Sequence, residues 1–321
     1  MTNEFLLTDR LQKIRQIITK YGEENFYISF SGGKDSTVLS ALIDMALPDN
    51  TIPRVYANTG IEYRLILDFV ERERAKPHKW ELVVLKPEIP IKPMLEKEGY
   101  PFKSKRHSRY VQTFYHRGLE CDTVQTYLAL KPTSSGKMQL GSRRCPKILE
   151  YQFYEDTPFR ISPNCCDRLK KDPLHKWSKE NKRPYAIIGI MPDEGGQRIT
   201  AHCLAFKQDK LFAFQPLVPV TKAWEDWLIE TYNIEISDIY KPPYNFRRTG
   251  CKGCPFALHL QKELDTLERF FPAERKQCEF IWKPVYDEYR RLSYRLRKEG
   301  QGRQTTIEEF IGAENEEPNF N

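Results

Sequence analysis

The stretch Phe26–Leu47, FYISFSGGKDSTVLSALIDMAL, decides the fold. Phe26–Phe30 is aromatic and β-branched and reads as a strand. SGGKDS, Ser31–Ser36, follows at once, and the run up to Leu47 and Pro48 reads as a helix. Val38, Leu39, Leu42, Ile43, Met45 and Ala46 cover more than one helical face, so this helix is expected to be well buried. Gly32 and Gly33 allow a sharp turn and a close backbone approach to a ligand. The unpaired N–H groups and partial positive charge of the helix start suit a phosphate or sulfate. Lys34 adds a full positive charge, Ser31 and Ser36 add hydroxyls, and Asp35 is placed to cap the helix or help hold a metal ion. The loop is too short for GxxxxGK[ST], because four residues are absent between its glycine and Gly-Lys.

The same unit repeats downstream. Arg54–Asn58 reads as a strand, Thr59-Gly60 as a turn, Glu62–Lys76 as a helix closed by Pro77, and Glu81–Leu85 as a third strand. Strands alternating with helices imply a parallel sheet with right-handed crossovers. In such a sheet ligands sit beyond the carboxyl ends of the strands, so Asn58, Thr59 and Gly60 are expected beside the first loop. Residues 1–22 read as an amphipathic helix, with Gly22 as its stop. Tyr185–Met191 is a continuous apolar run that suits a buried parallel strand, and Leu211–Leu217 reads as another. Thr221 is the expected N-cap of a helix carrying Trp224, Trp227 and Leu228. The chain is expected to divide into an α/β domain over residues 1–250, with an irregular insertion at about 87–160. A helical C-terminal part over 251–300 and a flexible tail over 301–321 follow. Pro284 is expected to open the last long helix and Gly300 to end it.

Composition supports one large domain or two ordinary ones. Of 321 residues, 40% are hydrophobic and 12% aromatic, enough for a sizeable core. Apolar runs fall short of the roughly 20 residues that span a bilayer, and the N-terminus lacks a secretory pattern. A cytoplasmic location without membrane contact is the expectation. The net charge of +7 fits an anionic partner, nucleotide or nucleic acid. In a reducing compartment eight cysteines point to metal binding or catalysis rather than to disulfides.

Four cysteines form a pattern: Cys165-Cys166, and Cys251-x-x-Cys254 flanked by Gly250 and Gly253. Four thiolates suit zinc or an iron–sulfur cluster. Successive side chains tend to diverge, which is awkward on one tetrahedral zinc but suits separate irons of a [4Fe–4S] cluster.

The loop Ser31–Ser36 resembles the PP-motif of the ATP pyrophosphatase (adenine nucleotide alpha hydrolase-like) superfamily. Within it, Asn58-Thr59-Gly60, Cys165 through Leu174, and Arg247–Phe256 (RRTGCKGCPF) resemble segments of the PAPS/APS reductase family. So does Gly189–Arg198 (GIMPDEGGQR), where Glu194 and Arg198 keep the family's spacing while Met191 and Gly195 depart from its arginine and serine. The resemblance implies a doubly wound, mostly parallel α/β sheet. It also implies an adenine nucleotide (APS, PAPS or ATP) as ligand, one [4Fe–4S] cluster on both cysteine pairs, Lys170 between cluster and substrate anion, and Arg198 at the nucleotide's charged end.

One family feature is missing. Those reductases carry a catalytic cysteine in a C-terminal ECGLH-like segment, and this chain has no cysteine after Cys278. Cys278 itself reads as structural, with a catalytic nucleophile as the lesser alternative. Cys145, in the basic stretch SRRCPK, is the runner-up nucleophile because nearby cations lower a thiol pKa. Three functions follow as expectations. The first is a sulfonucleotide reductase-like oxidoreductase served by a thiol electron-donor protein. The second is an ATP-dependent sulfur transferase acting on tRNA or DNA, with Mg2+, adenylation and pyrophosphate release. Lys103, Lys105, Arg106, Arg109 and the basic last helix would then hold the phosphate backbone. The third is a nucleotide-binding sensor or subunit without turnover.

Overall fold

A computed structural model describes residues 2–191 and 201–298. The chain builds a six-stranded sheet in the order β3-β2-β1-β4-β6-β5. β1 (Phe26–Phe30) is central and runs parallel to β2 (Arg54–Ala57) and β4 (Tyr185–Ile187). β3 (Leu82–Leu85) and β6 (Lys210–Phe214) extend the parallel sheet on either side. Only β5 (Leu204–Lys207), at the edge, is antiparallel. This is the doubly wound, mostly parallel architecture expected from the sequence. The chain reverses direction across the sheet between β1 and β4, which opens a crevice beyond their carboxyl ends.

Side chains alternate across the strands. Phe26 and Ile28 pack with Val38, Leu39, Leu42 and Ile43 of α2 (Lys34–Ala46), with α1 (Asn3–Tyr21) and with α8 (Lys222–Thr231). Tyr27, Val55 and Ala186 point to the other face, against Leu174 and Trp177 of α7 (Asp172–Glu180). A larger core joins α3 (Arg64–Ala75) to the insertion and to α9 (Leu260–Phe270) and α10 (Pro272–Arg291). Local signals set several ends. Thr2 caps α1 by accepting from the Phe5 N–H, and Gly22 at φ +80° stops it. Thr221 caps α8 through the Trp224 N–H at 3.3 Å, as the sequence reading expects. Among the described residues no helix is long and apolar enough to cross a membrane.

Three expectations are corrected, and one strand lies outside the sequence reading. The insertion is not irregular: it holds α4 (Ile91–Glu98), α5 (Lys105–Arg117) and α6 (Asp122–Leu128), packed on the same core as α10. The strand beginning at Tyr185 ends at Ile187, because the next residues pass against the start of α2. A Cβ at Gly189 would lie 2.9 Å from the Asp35 carbonyl oxygen. β5 escapes a glycine-based reading, since its hairpin turn places Gln208 and Asp209 at φ +48° and +62°. Pro284 lies inside α10, which opens at Pro272 instead. The carbonyl that Pro284 leaves without a donor belongs to Phe280, which is largely exposed and open to water. Gly300, and the tail over 301–321, lie outside the described residues.

Candidate functional site

The loop after β1 is closed by its own side chains. Ser36 Oγ accepts from the Ser31 N–H at 3.1 Å, lies 3.0 Å from Ser31 Oγ and donates to the Gly33 carbonyl at 2.9 Å. The Gly33 N–H reaches Ser31 Oγ at 3.3 Å. Gly32 sits at φ +67°, and a Cβ there would meet Val70 Cγ2 at 2.8 Å, so glycine is required both by conformation and by space. The N-cap is Gly33, with no side-chain cap, so Asp35 does not play that part. Asp35 instead faces α8, where its charge acts on Glu225.

The loop lines an open cavity of about 1090 Å³. Ile188–Met191 form one wall, Lys222 and Asp226 of α8 a second, and Tyr240 with Asn245–Thr249 a third. Tyr240 Oη accepts from the Lys34 N–H at 3.3 Å and lies 2.5 Å from Thr249 Oγ1. The Lys34 ammonium does not point into open space: it lies 2.6 Å from Asp226 Oδ1 and 3.8 Å from Glu225 Oε2. Glu194 and Arg198, expected at this cavity, lie outside the described residues.

The turn after β2 begins a second cluster. Asn58 Oδ1 accepts from the Gly60 N–H at 2.9 Å, and Gly60 stands at φ +85° with nothing near its Cβ position. Buried Thr59 donates its hydroxyl to Glu62 Oε1 at 2.7 Å, and its N–H to Glu62 Oε2 at 3.0 Å. Glu62 Oε1 lies 4.0 Å from Lys170 Nζ. Cys251 lies next: its charge is the main one acting on Lys170, and its thiol hydrogen-bonds Thr59. The charge of Cys251, with Glu62, Cys166 and Cys254, raises the Lys170 pKa against the effect of burial.

All four patterned cysteines are free thiols within electrostatic reach of one another. The Cys165 thiol hydrogen-bonds Cys166 and, with Lys105 and Lys170 facing it, holds the Cys166 thiol down to about 6 despite burial. Burial pushes Cys251 and Cys254 up. As the side chains stand, no three His, Cys, Asp or Glu among the described residues are grouped to hold a metal ion. A single zinc, with Zn–S bonds of ~2.3 Å, draws its ligands into one tight tetrahedron. Four cysteine thiolates are a donor set that suits zinc or an iron–sulfur cluster. Tyr56 Oη is buried without a hydrogen-bond partner among the described residues, and Glu62, Cys251 and Glu71 are the charged groups acting on it.

Helices α9 and α10 fix the Cys251–Cys254 turn. The Trp282 indole N–H donates to the Lys252 carbonyl at 3.0 Å, and Tyr289 Oη to that of Pro255 at 2.9 Å. Glu263 accepts from the Gly253 N–H at 2.8 Å. Lys252, almost wholly buried, pairs with Glu274 at 2.5 Å. Gly253 stands at φ +61°, with its Cβ position 2.5 Å from Tyr286 Oη and 2.8 Å from Cys278 Sγ.

That packing gives Cys278 its place: it is fully buried under the turn, and burial pushes its thiol up to about 12. Cys145 corrects the expectation drawn from its basic neighbours. Lys103 and Arg144 do favour its thiolate, but complete burial outweighs them and the thiol is also pushed up to about 12. Sequence reasoning missed Tyr240, Thr249, Glu225 and Asp226, which reach the site over long chain separations, and placed Lys105 at a nucleic-acid backbone rather than beside Cys166. It could have found Glu62, since Thr59-x-x-Glu62 has the spacing of a reciprocal side chain–backbone pair.

Residues 25–145 match the model of the phosphoadenosine phosphosulfate reductase domain. The matched segment holds the loop and Asn58-Thr59-Gly60, and ends before both cysteine pairs. No curated protein sequence matches the chain significantly. Among solved structures, a phosphate complex of phosphoadenylyl-sulfate (PAPS) reductase from Candida auris is 11% identical. It covers 75% of this chain and 87% of its own, with a TM-score of 0.44. NH3-dependent NAD synthetase from Campylobacter jejuni subsp. jejuni is 13% identical over 89% of this chain and 95% of its own, with a TM-score of 0.40. The U34-tRNA thiolase NcsA from Methanococcus maripaludis, solved with its [4Fe–4S] cluster, is 16% identical over 92% and 81%, with a TM-score of 0.38. Over residues 25–145, then, the chain is similar to the phosphoadenosine phosphosulfate reductase domain, the family that its loop and Asn58-Thr59-Gly60 resemble.

Proposed function

We propose that the chain binds an adenine nucleotide with its phosphate or sulfate group at Ser31–Ser36, and performs sulfur chemistry beside the four cysteines. One observation carries this reading. The segment Asn245–Thr249 lines the loop cavity, and the same backbone delivers Cys251 two residues later. Two residues span at most about 7 Å of chain. The nucleotide's charged end and the thiols are therefore neighbours within one site.

Cys165, Cys166, Cys251 and Cys254 would hold a [4Fe–4S] cluster, with Lys105, Lys170 and the Thr59 and Tyr56 hydroxyls around it. When bound, the cluster would supply a polarisable, redox-capable group at the sulfur. Lys170, charged and flanked by Glu62, would attract the substrate's anionic group toward the thiols. The loop N–H groups and the Ser31 and Ser36 hydroxyls would bind phosphate or sulfate oxygens, and Arg198 would add a cation. The first reading is a PAPS/APS reductase-like reaction.

A second reading is ATP-dependent sulfur transfer to nucleic acid, and the burial of Cys145 and Cys278 favours it. A reductase needs a nucleophilic thiol outside the cluster, and neither candidate offers an accessible thiolate. Lys105, Arg106 and Arg109 are exposed on α5 and suit a phosphate backbone. The test is to offer anaerobically purified protein APS, PAPS or ATP with a thiol reductant. Sulfite from APS or PAPS supports the reductase. Pyrophosphate released from ATP only when RNA or DNA is added overturns it in favour of transfer.

A further inference from the structure

The loop lysine is held by carboxylates. Lys34 Nζ is 2.6 Å from Asp226 Oδ1 and 3.8 Å from Glu225 Oε2, and its side chain is only 14% exposed. Glu225 lies in the first turn of α8 with a fully buried side chain. One of its oxygens pairs with Lys222, and Oε1 has no hydrogen-bond donor among the described residues. Asp35, from the first turn of α2, faces the same carboxylate. The groups facing Glu225 are thus Lys34 and Asp35 from α2, and Lys222 and Asp226 from its own helix. Among the described residues two cations stand against three carboxylates around Glu225. An anion entering the loop meets backbone shaped for anions, with Lys34 held to the side by these carboxylates. Leaving a buried carboxylate oxygen unpaired is costly, so this arrangement is strained in favour of change.

Resting on the reading of Ser31–Ser36 as an anion seat, we propose that Glu225 and Asp226 form a carboxylate latch that holds Lys34 off that seat. A phosphate or sulfate group captures Lys34 from the latch, and Glu225 takes up a proton from solvent as it loses one of its two neighbouring cations and keeps Lys222. No bond other than this O–H is made or broken. The two acids are positioning residues, since they act on the ligand through Lys34. Burial, reinforced by Asp35, raises the Glu225 carboxyl to about 7. The latch is therefore closed above neutrality and loosened below it.

The probe is inorganic sulfate, whose charge is constant over the range used, titrated calorimetrically into the full chain at fixed ionic strength. Wild type should bind about tenfold more tightly near pH 6 than near pH 8. Glu225→Gln should lose that dependence and bind near pH 8 about as tightly as wild type does near pH 6. Asp226→Asn should bind severalfold more tightly at each pH while keeping the slope. Variants with wild-type affinity and wild-type pH profile would overturn the latch and leave the anion seat standing. A wild type that binds neither sulfate nor any adenine nucleotide overturns the seat, and the latch with it.

Discussion

The phosphate loop and the cysteine turn both bend on a glycine at positive φ, Gly32 at +67° and Gly253 at +61°, yet they are held in opposite ways. The loop is closed chiefly by Ser31, Gly33 and Ser36, partners at most five residues apart, with Tyr240 a distant acceptor for the Lys34 N–H. The cysteine turn is held by Trp282, Tyr286 and Tyr289, which lie 30 to 34 residues away on α10. The loop opens into a cavity of about 1090 Å³, while the turn is clamped in aromatic packing. A locally closed loop stays open on its cavity side. A remotely clamped turn keeps fixed a set of thiols that would otherwise repel, react or drift.

The largest expected effect tests the clamp. Gly253→Ala places a methyl against Tyr286 Oη and Cys278 Sγ at positive φ, with backbone and ring unable to yield. A loss of about 4 kcal/mol in unfolding free energy is expected, measured by denaturant titration. Next comes the ion pair beneath the turn. Glu274→Ala leaves Lys252, 2% exposed, without its carboxylate and should cost about 3 kcal/mol in the same assay. Both losses far exceeding those at the loop would sharpen the contrast.

At the loop, Gly32→Ala meets Val70 and Ile66 side chains that can shift, and about 2 kcal/mol is expected. Gly60→Ala has open space and only an unfavourable φ, so about 1 kcal/mol is expected. If Gly60→Ala proved as damaging as Gly253→Ala, space would not be what separates the two regions. The smallest effect concerns thiol accessibility. Cys145 and Cys278 are fully buried with thiols near 12, so iodoacetamide should modify them only on unfolding, followed by mass spectrometry. Rapid labelling of either in the folded chain would restore it as a nucleophile.

The same contrast sets what the sequence made legible. Strand, loop and helix over Phe26–Leu47 were readable because their signals, apolar periodicity and paired glycines, act within a few residues. The parallel sheet followed, since β1, β2 and β3 repeat that unit. The Tyr240–Lys34 contact spans 206 residues and leaves no local trace. Pro284 misled because an exposed carbonyl tolerates the lost hydrogen bond, a matter of solvent rather than of sequence. Cys145 misled because its basic neighbours are visible in the sequence while its burial, which dominates, is not.

The account's central claim is that the nucleotide cavity and the cysteine set are one site. The most direct measurement is electron paramagnetic resonance of the anaerobically purified, reduced protein, titrated with APS or ATP while binding is followed calorimetrically. The account predicts a cluster signal that is present in wild type, absent in Cys251→Ala, and altered in saturable fashion by nucleotide at the concentration that fills the loop. Nucleotide binding that leaves the signal untouched, or a protein that carries no iron when purified without oxygen, would contradict it.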